Sequence, residues 1–338
     1  MRVIITGGGG FLGSRLAKRL LEIGVASSSS GQLQPIDEIR LVDIGFQNTP
    51  SIVDDRVKKI TGPIQDRDFV FSLFQGAKDI SIFHLASMVS GECEERFDDA
   101  LQVNLQGCLL LLDAVRQNAK HSRFVFASSI ACFGGDSMRD PCDDHTKLTP
   151  LTTYGMTKAI CELLINDYTR KGFIDGRSAR LPTVIIRPGK PNTAASSWAS
   201  GMFREPLKGE PCYLPVSKDQ RHPMTGYRTV IESLIRIHEL DSKPIGNDRS
   251  IGLPAIQVTP QMAEEALRSL SLHHSFPLGP IVEQPDERIQ RIVSNWPIAI
   301  DGHRGLALGL PNVSSLDQII LDYMHDFPAR SRNNEHPS

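Results

Sequence analysis

The sequence predicts an α/β fold, a doubly wound parallel sheet followed by a smaller C-terminal domain. Up to about residue 187, short apolar runs that suit buried strands alternate with amphipathic segments that suit helices. This alternation is typical of a parallel sheet with helices on both faces, and right-handed crossovers make the sheet doubly wound. Beyond Arg187-Pro188-Gly189 the alternation ends and proline becomes frequent, which indicates the second domain.

The elements of the first part follow from their local patterns. A strand at 3–5 leads into an amphipathic helix that begins near Ser14. The next elements are strands at 39–42, 57–64, 80–85 and 124–127, with helices at 66–75, through Asn104 to about Asn118, and at 155–171. Residues 27–31, Ser-Ser-Ser-Ser-Gly, are low in complexity and predict a flexible loop in the first crossover.

A glycine-rich segment joins the first strand to the first helix: Thr6-Gly7-Gly8-Gly9-Gly10-Phe11-Leu12-Gly13. The first amides of a helix lack partners within the helix, and the helix dipole adds positive charge there, so a pyrophosphate is a natural ligand. Gly7, Gly10 and Gly13 recur at every third residue, which allows a tight turn and a close approach to phosphates. A ligand-free turn is the alternative, but the strand and helix around the glycines favour a dinucleotide site.

An acidic residue, Asp43, ends the second predicted strand. A carboxylate at this point can accept hydrogen bonds from the ribose hydroxyls of adenosine and would repel the extra phosphate of NADP. The sequence therefore favours NAD as the cofactor.

The composition excludes several classes of protein. The chain has 338 residues, 40% of them hydrophobic, and a formal net charge of −2, so it can build a full core and shows no basic excess for nucleic acid. No apolar run is long enough to span a membrane, and the first strand follows Met1 almost at once, so we expect a soluble cytoplasmic protein without a signal peptide. The six cysteines lack metal-binding spacing, which indicates reduced and mostly buried thiols.

A possible catalytic group is spread over three segments. Tyr154 and Lys158 stand four residues apart at the start of a predicted helix, where both side chains share one face. Such a pair is often only a surface feature, but Ser128 and Ser129 close the fifth strand at the sheet edge where ligands bind. Together with Asn104 in the long helix, these residues are expected to meet in one crevice.

In this order the motifs resemble the extended short-chain dehydrogenase/reductase family, which includes the nucleotide-sugar epimerases and dehydratases. The resemblance covers nearly the whole chain and extends to Gly62-Pro63-Ile64-Gln65-Asp66 and to His84-Leu85-Ala86-Ser87. Within the family, the segments at 90–92, 159–164, 187–192 with 195–197, and 294–297 resemble a subgroup that oxidises the C2 hydroxyl of a four-carbon sugar acid, D-erythronate, with NAD.

The resemblance implies a division of roles in which Tyr154 takes the hydroxyl proton, Ser129 hydrogen-bonds the reacting oxygen and Lys158 holds the nicotinamide ribose. Asn104 belongs to the same catalytic set. A free phenol has a pKa of about 10, so a tyrosine base working near pH 7 needs its pKa lowered by about 3 units. Lys158 and the nicotinamide ring are the positive charges that we expect to lower it.

The resemblance also implies the contacts of both ligands. The residues implied to bind NAD are Gly7, Gly10, Phe11, Leu12, Gly13, Asp43, Ile64, Asp66, Leu85, Ala86, Ser87, Asn104, Ser128, Tyr154, Lys158, Pro182 and Thr183. A substrate carboxylate needs a cation or backbone donors, although each candidate could instead be a solvated surface residue. The substrate candidates are Ser90, Ser129, Arg187, Lys190, Asn192, Ser197 and Arg221. His84 is expected to pack near the cofactor, and His273-His274 lacks companion ligands, so no metal site is expected.

The domain boundaries follow from these assignments. Residues 1–187 form an NAD-binding Rossmann domain to which 227–250 return, residues 188–226 and 251–328 form a substrate-binding domain, and 329–338 form a disordered tail. By analogy with the family, two long helices of one subunit are expected to pair with those of another in a homodimer.

Two other functions stay open. A nucleotide-sugar epimerase or dehydratase is possible, although Ser129-Ile130-Ala131 lacks the acidic residue usual in dehydratases, and Phe133 and Thr183 replace a tyrosine and an asparagine usual in epimerases. A regulator that binds the dinucleotide without chemistry typically loses the Tyr/Lys pair, which this chain keeps. Since the segment at 221–228 matches the subgroup poorly, a threonate or a longer aldonate is an alternative substrate.

Overall fold

The computed structural model describes residues 1–47, 51–76, 79–136 and 138–328, so the predicted tail at 329–338 lies outside the described residues. The strands in chain order are β1 (Arg2–Thr6), β2 (Val25–Ser27), β3 (Leu33–Pro35), β4 (Glu38–Asp43), β5 (Val57–Thr61), β6 (Ile80–His84), β7 (Arg123–Ser129), β8 (Asp175–Leu181), β9 (Thr183–Ile185), β10 (Cys212–Leu214), β11 (His222–Gly226), β12 (Ser250–Gly252), β13 (Ile256–Val258) and β14 (Ile281–Glu283).

The helices fall between these strands. They are α1 (Phe11–Ile23), α2 (Arg67–Ser72), α3 (Ser90–Glu95), α4 (Phe97–Ala100), α5 (Gly107–Asn118), α6 (Thr153–Arg170), α7 (Ser197–Arg204), α8 (Tyr227–Glu239), α9 (Ser242–Ile245), α10 (Pro260–His274), α11 (Glu287–Val293), α12 (His303–Ala307) and α13 (Leu316–Asp326). A π-helical segment, Leu101–Gln106, joins α4 to α5, and short 3₁₀ turns occupy Ile130–Cys132 and Pro206–Lys208.

Within the described ranges, seven parallel strands form the central sheet in the order β12-β8-β7-β6-β1-β4-β5. Side chains alternate across it, so that Val3 and Ile5 of β1 pack with α1 and α8 while Ile4 packs with α2, α5 and α6. The strand order reverses between β1 and β6, and this switch point opens a crevice at the carboxyl edge. The predicted doubly wound parallel sheet is confirmed.

A second group of elements follows β8. In the described chain β9, β11 and β13 form a three-stranded sheet, and β10 pairs with β14. These strands surround a separate hydrophobic cluster with α7, α10 and α13, in which Phe203, Met224 and Leu267 are almost fully buried. Helix α8 instead packs on the central sheet through Val230 and Leu234.

Two local predictions are wrong in detail. The strand predicted at 57–64 ends at Thr61, and the long helix through Asn104 is interrupted by the π-helical segment. In the serine-rich stretch, Ser27 ends β2, and residues 28–31 lie in the turn of the hairpin that β2 forms with β3. The amide and hydroxyl of Ser27 both donate to the carboxylate of Glu239 on α8, which ties this hairpin to the helix.

None of the described helices is both long and apolar enough to cross a membrane.

Candidate active site

A pocket of about 380 Å³ lies at the carboxyl edge of the central sheet. Strands β1, β6 and β7 lead into it from one side, and the segment after β8 closes it from the other. It brings together many of the predicted residues: Gly7, Gly10, Phe11, Leu12, Gly13, Leu85, Ser87, Ser90, Ser128, Ser129, Tyr154, Lys158, Pro182, Thr183, Arg187 and Asn192.

The glycine loop forms a cradle that side chains would fill. Gly7 has a φ of +72°, and a Cβ atom there would lie 2.8 Å from the amide nitrogen of Ala86. A Cβ atom on Gly13 would lie 2.3 Å from the carbonyl oxygen of Gly7. Helix α1 begins at Phe11 without a side-chain cap from Gly10, so in the described chain its first amides remain available at the pocket. These residues therefore fit the pyrophosphate of a dinucleotide.

Asp43 contacts the glycine loop from the end of β4. Its Oδ2 accepts a hydrogen bond of 2.9 Å from the Gly9 amide, and its Oδ1 accepts one of 2.8 Å from the Ile44 amide. The carboxylate thus lies beside the phosphate cradle, at the strand end where the adenosine ribose of a bound dinucleotide belongs.

The other residues predicted for the adenine side have structural contacts of their own. Asp66 caps α2 by accepting a 2.8 Å hydrogen bond from the Phe69 amide, and Ile64 is buried against Gly107. The Ala86 amide lies 3.3 Å from Oγ1 of Thr6. Among the described residues these three, like Asp43, lie outside the lining of the pocket.

Tyr154, Ser129 and Lys158 form a compact group at the pocket floor. The Ser129 side chain lies beside the Tyr154 hydroxyl, favours its ionisation, and accepts a 3.1 Å hydrogen bond from the Ala131 amide. Nζ of Lys158 donates to the Ala127 carbonyl at 2.9 Å and lies 5.4 Å from the centre of the Tyr154 ring. The side chain of Lys158 is almost completely buried.

The electrostatics of this group correct one expectation. Burial raises the pKa of Tyr154 above its ordinary value and outweighs the hydrogen bond from Ser129, which favours the phenolate. Burial also lowers the pKa of Lys158. In the protein chain alone, Lys158 therefore does not produce the lowered tyrosine pKa that the sequence predicted.

Asn104, predicted for the catalytic and cofactor sets, is buried and lies outside the pocket lining among the described residues. Its Oδ1 accepts a 2.7 Å hydrogen bond from the Met88 amide, and its Nδ2 lies 3.4 Å from Oγ1 of Thr157. Asn104 therefore joins the loop after β6 to helix α6, and it lies within the π-helical segment.

The Ser128 hydroxyl also has a hydrogen-bond partner outside the pocket. Its hydroxyl donates to the buried carboxylate of Glu162, which pairs with Arg180 at 2.8 Å. Ser128 lines the pocket, but its hydroxyl is held by α6 rather than offered to a cofactor.

The predicted substrate residues separate into two groups. Ser90, Arg187 and Asn192 line the pocket with Ser129. The Ser90 hydroxyl accepts a 3.1 Å hydrogen bond from the Ala195 amide, and the half-buried Arg187 donates to the Lys190 carbonyl at 2.6 Å. Burial and the neighbouring Arg204 lower the pKa of Arg187.

The remaining three substrate candidates lie outside the pocket lining among the described residues. Ser197 accepts a 3.1 Å hydrogen bond from the Asn192 amide and so shapes the loop beneath a lining residue. Lys190 and Arg221 are exposed, so the structure does not bring these two predicted carboxylate ligands to the pocket. A long charged side chain in an irregular segment gains more by staying hydrated than by being buried.

The sequence did not identify several lining residues, including Val89, Ala194, Ser196 and Trp296. Trp296 lies in the segment 294–297, which the sequence marks only by its resemblance to the subgroup. It stands more than a hundred residues beyond Thr183, so no spacing within one segment could predict that both line the same pocket. His84 is buried and pairs with Oγ1 of Thr6 at 2.7 Å, as a packed residue does. Within the described ranges no cluster of metal-ligating side chains is found.

Comparisons with known proteins agree with this geometry. A family model for GDP-mannose 4,6 dehydratase matches residues 4–181. D-erythronate dehydrogenase of Cupriavidus necator is 39% identical over 330 residues, a match that covers 96% of this chain and 98% of that protein. The enzyme of the same name from Haemophilus influenzae is 39% identical over 325 residues, covering 96% and 99%.

A solved structure gives the same result for the fold. The nucleoside-diphosphate-sugar epimerase from Agrobacterium tumefaciens superposes with a TM-score of 0.85 at 36% identity, covering 97% of this chain and 94% of that one. The glycine cradle, the Tyr154/Lys158 pair and these similarities over nearly the whole length lead to one assignment. The chain belongs to the extended short-chain dehydrogenase/reductase family, the NAD-dependent epimerase/dehydratase class.

Proposed function

We propose that the protein oxidises the C2 hydroxyl of D-erythronate with NAD to give 2-dehydro-D-erythronate. The observation that carries this proposal is the placement of Tyr154, Ser129 and Arg187 in one pocket with the glycine cradle. The two relatives that are 39% identical over nearly their whole length bear the name D-erythronate dehydrogenase, which supports the same reaction.

The proposed chemistry removes a proton from the C2 hydroxyl and a hydride from C2 and leaves a carbonyl. When bound, NAD supplies the nicotinamide ring that accepts the hydride. Tyr154 accepts the hydroxyl proton as a phenolate, and Ser129, which lies beside it, orients the reacting oxygen. The buried Lys158 ammonium stands near enough to the Tyr154 ring to stabilise that phenolate.

Arg187 is proposed to bind the substrate carboxylate. It is a half-buried cation in the described lining of the pocket, and one of its donors is already held by the Lys190 carbonyl. An arginine held this way keeps its remaining donors oriented for a carboxylate. Ser90 and Asn192 lie on the same wall and are proposed to meet the other oxygens of the acid.

The cofactor contacts are proposed on the same basis. The α1 amides and the glycines bind the pyrophosphate, Asp43 binds the adenosine ribose and Lys158 binds the nicotinamide ribose. Pro182 and Thr183 line the pocket and are proposed to contact the nicotinamide. The Asp43 carboxylate favours NAD over NADP because a second anion there would be repelled.

A nucleotide-sugar epimerase is the second candidate, since the solved structure that is 36% identical carries that name. A screen for NAD reduction over four- to six-carbon sugar acids and nucleotide sugars separates the two. We expect D-erythronate to give the highest kcat/KM. Turnover of a nucleotide sugar without reduction of NAD by any acid would overturn the proposal.

A homodimer is proposed from the surface of the helices next to the site. Phe97 of α4 is 52% exposed and Leu163 of α6 is 64% exposed, an unusual state for large apolar side chains. Sedimentation should give twice the chain mass for the native protein and a smaller species for L163E. A native monomer at micromolar concentration would contradict this arrangement.

A reducing compartment, the cytoplasm, is the proposed location. All six cysteines lie within the described residues as buried free thiols. Unpaired thiols are typical of proteins kept in a reducing environment.

A further inference from the structure

His222 lies directly behind the pocket wall. It begins β11, which runs parallel to β9, and its Nε2 lies 2.6 Å from Oγ1 of Thr183 on β9. The imidazole is 1% exposed and sits between two tryptophans, with ring centres 5.8 Å from Trp198 and 5.7 Å from Trp296. Thr183 and Trp296 both line the pocket, so this buried histidine is one residue away from the ligand space.

The surroundings of Nδ1, the second ring nitrogen of His222, determine which of the two nitrogens carries the proton. Nδ1 of His222 is buried and has no hydrogen-bond partner among the described residues. Burial lowers the pKa of His222 to about 4, so the ring is neutral near pH 7 and carries one proton. A proton on Nδ1 would leave a buried N–H without a hydrogen-bond acceptor, which is unfavourable. The proton therefore belongs on Nε2, which donates to Thr183.

This tautomer fixes the direction of the threonine hydroxyl. Oγ1 of Thr183 accepts the hydrogen bond from Nε2–H of His222. The hydroxyl proton of Thr183 can therefore be donated to a different acceptor. The pocket that Thr183 lines is the space open to that proton. A hydroxyl oriented in this way donates to an oxygen and discriminates against a ligand group that is itself only a donor.

We propose that His222 is a positioning residue that holds Thr183 as a hydrogen-bond donor to an acceptor oxygen of the ligand at the reacting end of the pocket. Two oxygens have this chemistry, one on the sugar acid and one on the carboxamide of the cofactor. The assignment of the first rests on the proposed function. Trp198 and Trp296 contribute by excluding water from the hydrogen bond between His222 and Thr183 and by fixing the plane of the imidazole ring.

The test uses five variants and two affinities. H222F keeps a ring between the tryptophans but cannot donate, and T183V removes the hydroxyl at nearly constant volume. We expect each to raise the KM for the acid, or the Kd for NADH, by roughly tenfold, the value of about one hydrogen bond. The acid KM responds if the substrate is the partner, and the NADH Kd responds if the cofactor is.

Two further variants separate positioning from mere packing. H222Q can still donate from its amide to Thr183, so it should recover most of the affinity that H222F loses. M224L changes a buried residue two places along β11 and should lower thermal stability without changing either affinity. The double variant H222F/T183V should bind its ligands no more weakly than T183V alone, because both changes remove the same chain of hydrogen bonds from His222 through Thr183 to the ligand.

Several outcomes would overturn the proposal: additive losses in the double variant, no recovery by H222Q, or affinities of H222F equal to those of the native protein. The measurement is independent of the substrate assignment, because the variants are assayed on whichever acid or nucleotide sugar the native enzyme turns over. A different substrate would contradict the proposed function alone.

Discussion

At the scale of single residues, Tyr154 experiences two opposed effects. Burial of its hydroxyl disfavours the phenolate, while the neighbouring Ser129 side chain favours it. In the proposed complex, the Lys158 ammonium and the positive nicotinamide ring would both add to the second effect. We therefore expect Tyr154 to act as a base only when the cofactor is bound.

Replacement of Tyr154 tests this role. We expect Y154F to lower kcat by roughly 10²–10⁴-fold, because the proton acceptor is lost while the ring still packs. Fluorescence titration should show NADH binding close to that of the native protein. Y168F is the matched control, since Tyr168 lies on the same helix and donates to Asp113 at 2.9 Å, away from the pocket. Retained turnover in Y154F would remove it as the base.

Asp43 offers a second test at this scale. D43N keeps an oxygen that can accept from the Gly9 amide but removes the charge beside the cradle. The preference for NAD over NADP, measured as the ratio of kcat/KM values, should fall by about tenfold or more, the effect of one close charge. An unchanged ratio would show that another group sets the cofactor preference.

At the scale of elements, helix α6 is tied to the sheet by a buried ion pair. Glu162 and Arg180 are 1% and 4% exposed and make contacts of 2.8 to 3.1 Å. Ser128 donates to the same carboxylate, and Asp144 lies 3.7 Å from Arg180. This network connects the helix that carries Tyr154 and Lys158 to the ends of β7 and β8.

Breaking the network should be costly. E162Q leaves Arg180 buried without its full counter-charge, so we expect the free energy of unfolding to fall by about 3 kcal/mol. D167N, on the same helix, breaks a pair with Arg170 in which both side chains are more than half exposed, and it should cost under about 1 kcal/mol. Urea denaturation followed by circular dichroism compares the two, and equal losses would contradict the role of the buried pair.

The elements also show how far sequence reasoning reaches. The central sheet, the glycine loop and the Tyr154/Lys158 pair could be predicted because each depends on spacing within one short segment. Asn104 was assigned to the chemistry, yet the π-helical turn that directs it to Met88 has no sequence signal. Arg221 and His222 are neighbours, but only the structure shows that the histidine, and not the arginine, lies behind the pocket. Strand pairing between distant segments decides such placements.

At the scale of the molecule, the site lies where the sheet core meets the second hydrophobic cluster. The central sheet contributes the glycine cradle and Tyr154, while Trp296 and the segment of Arg187 come from the part after β8. For the proposed hydride transfer, holding donor and acceptor between the two hydrophobic cores would make the step effectively unimolecular. Tyr154 itself packs against the second cluster.

The reaction proposed for this protein removes a hydride from C2 of a sugar acid. Its most direct test is incubation of the native protein with NAD and D-erythronate that carries deuterium at C2. The account predicts deuterium in the reduced nicotinamide, seen by mass spectrometry, together with a slower rate than for unlabelled substrate. Reduced cofactor without deuterium would place the oxidation at another carbon, and the absence of reduced cofactor would contradict the proposed reaction.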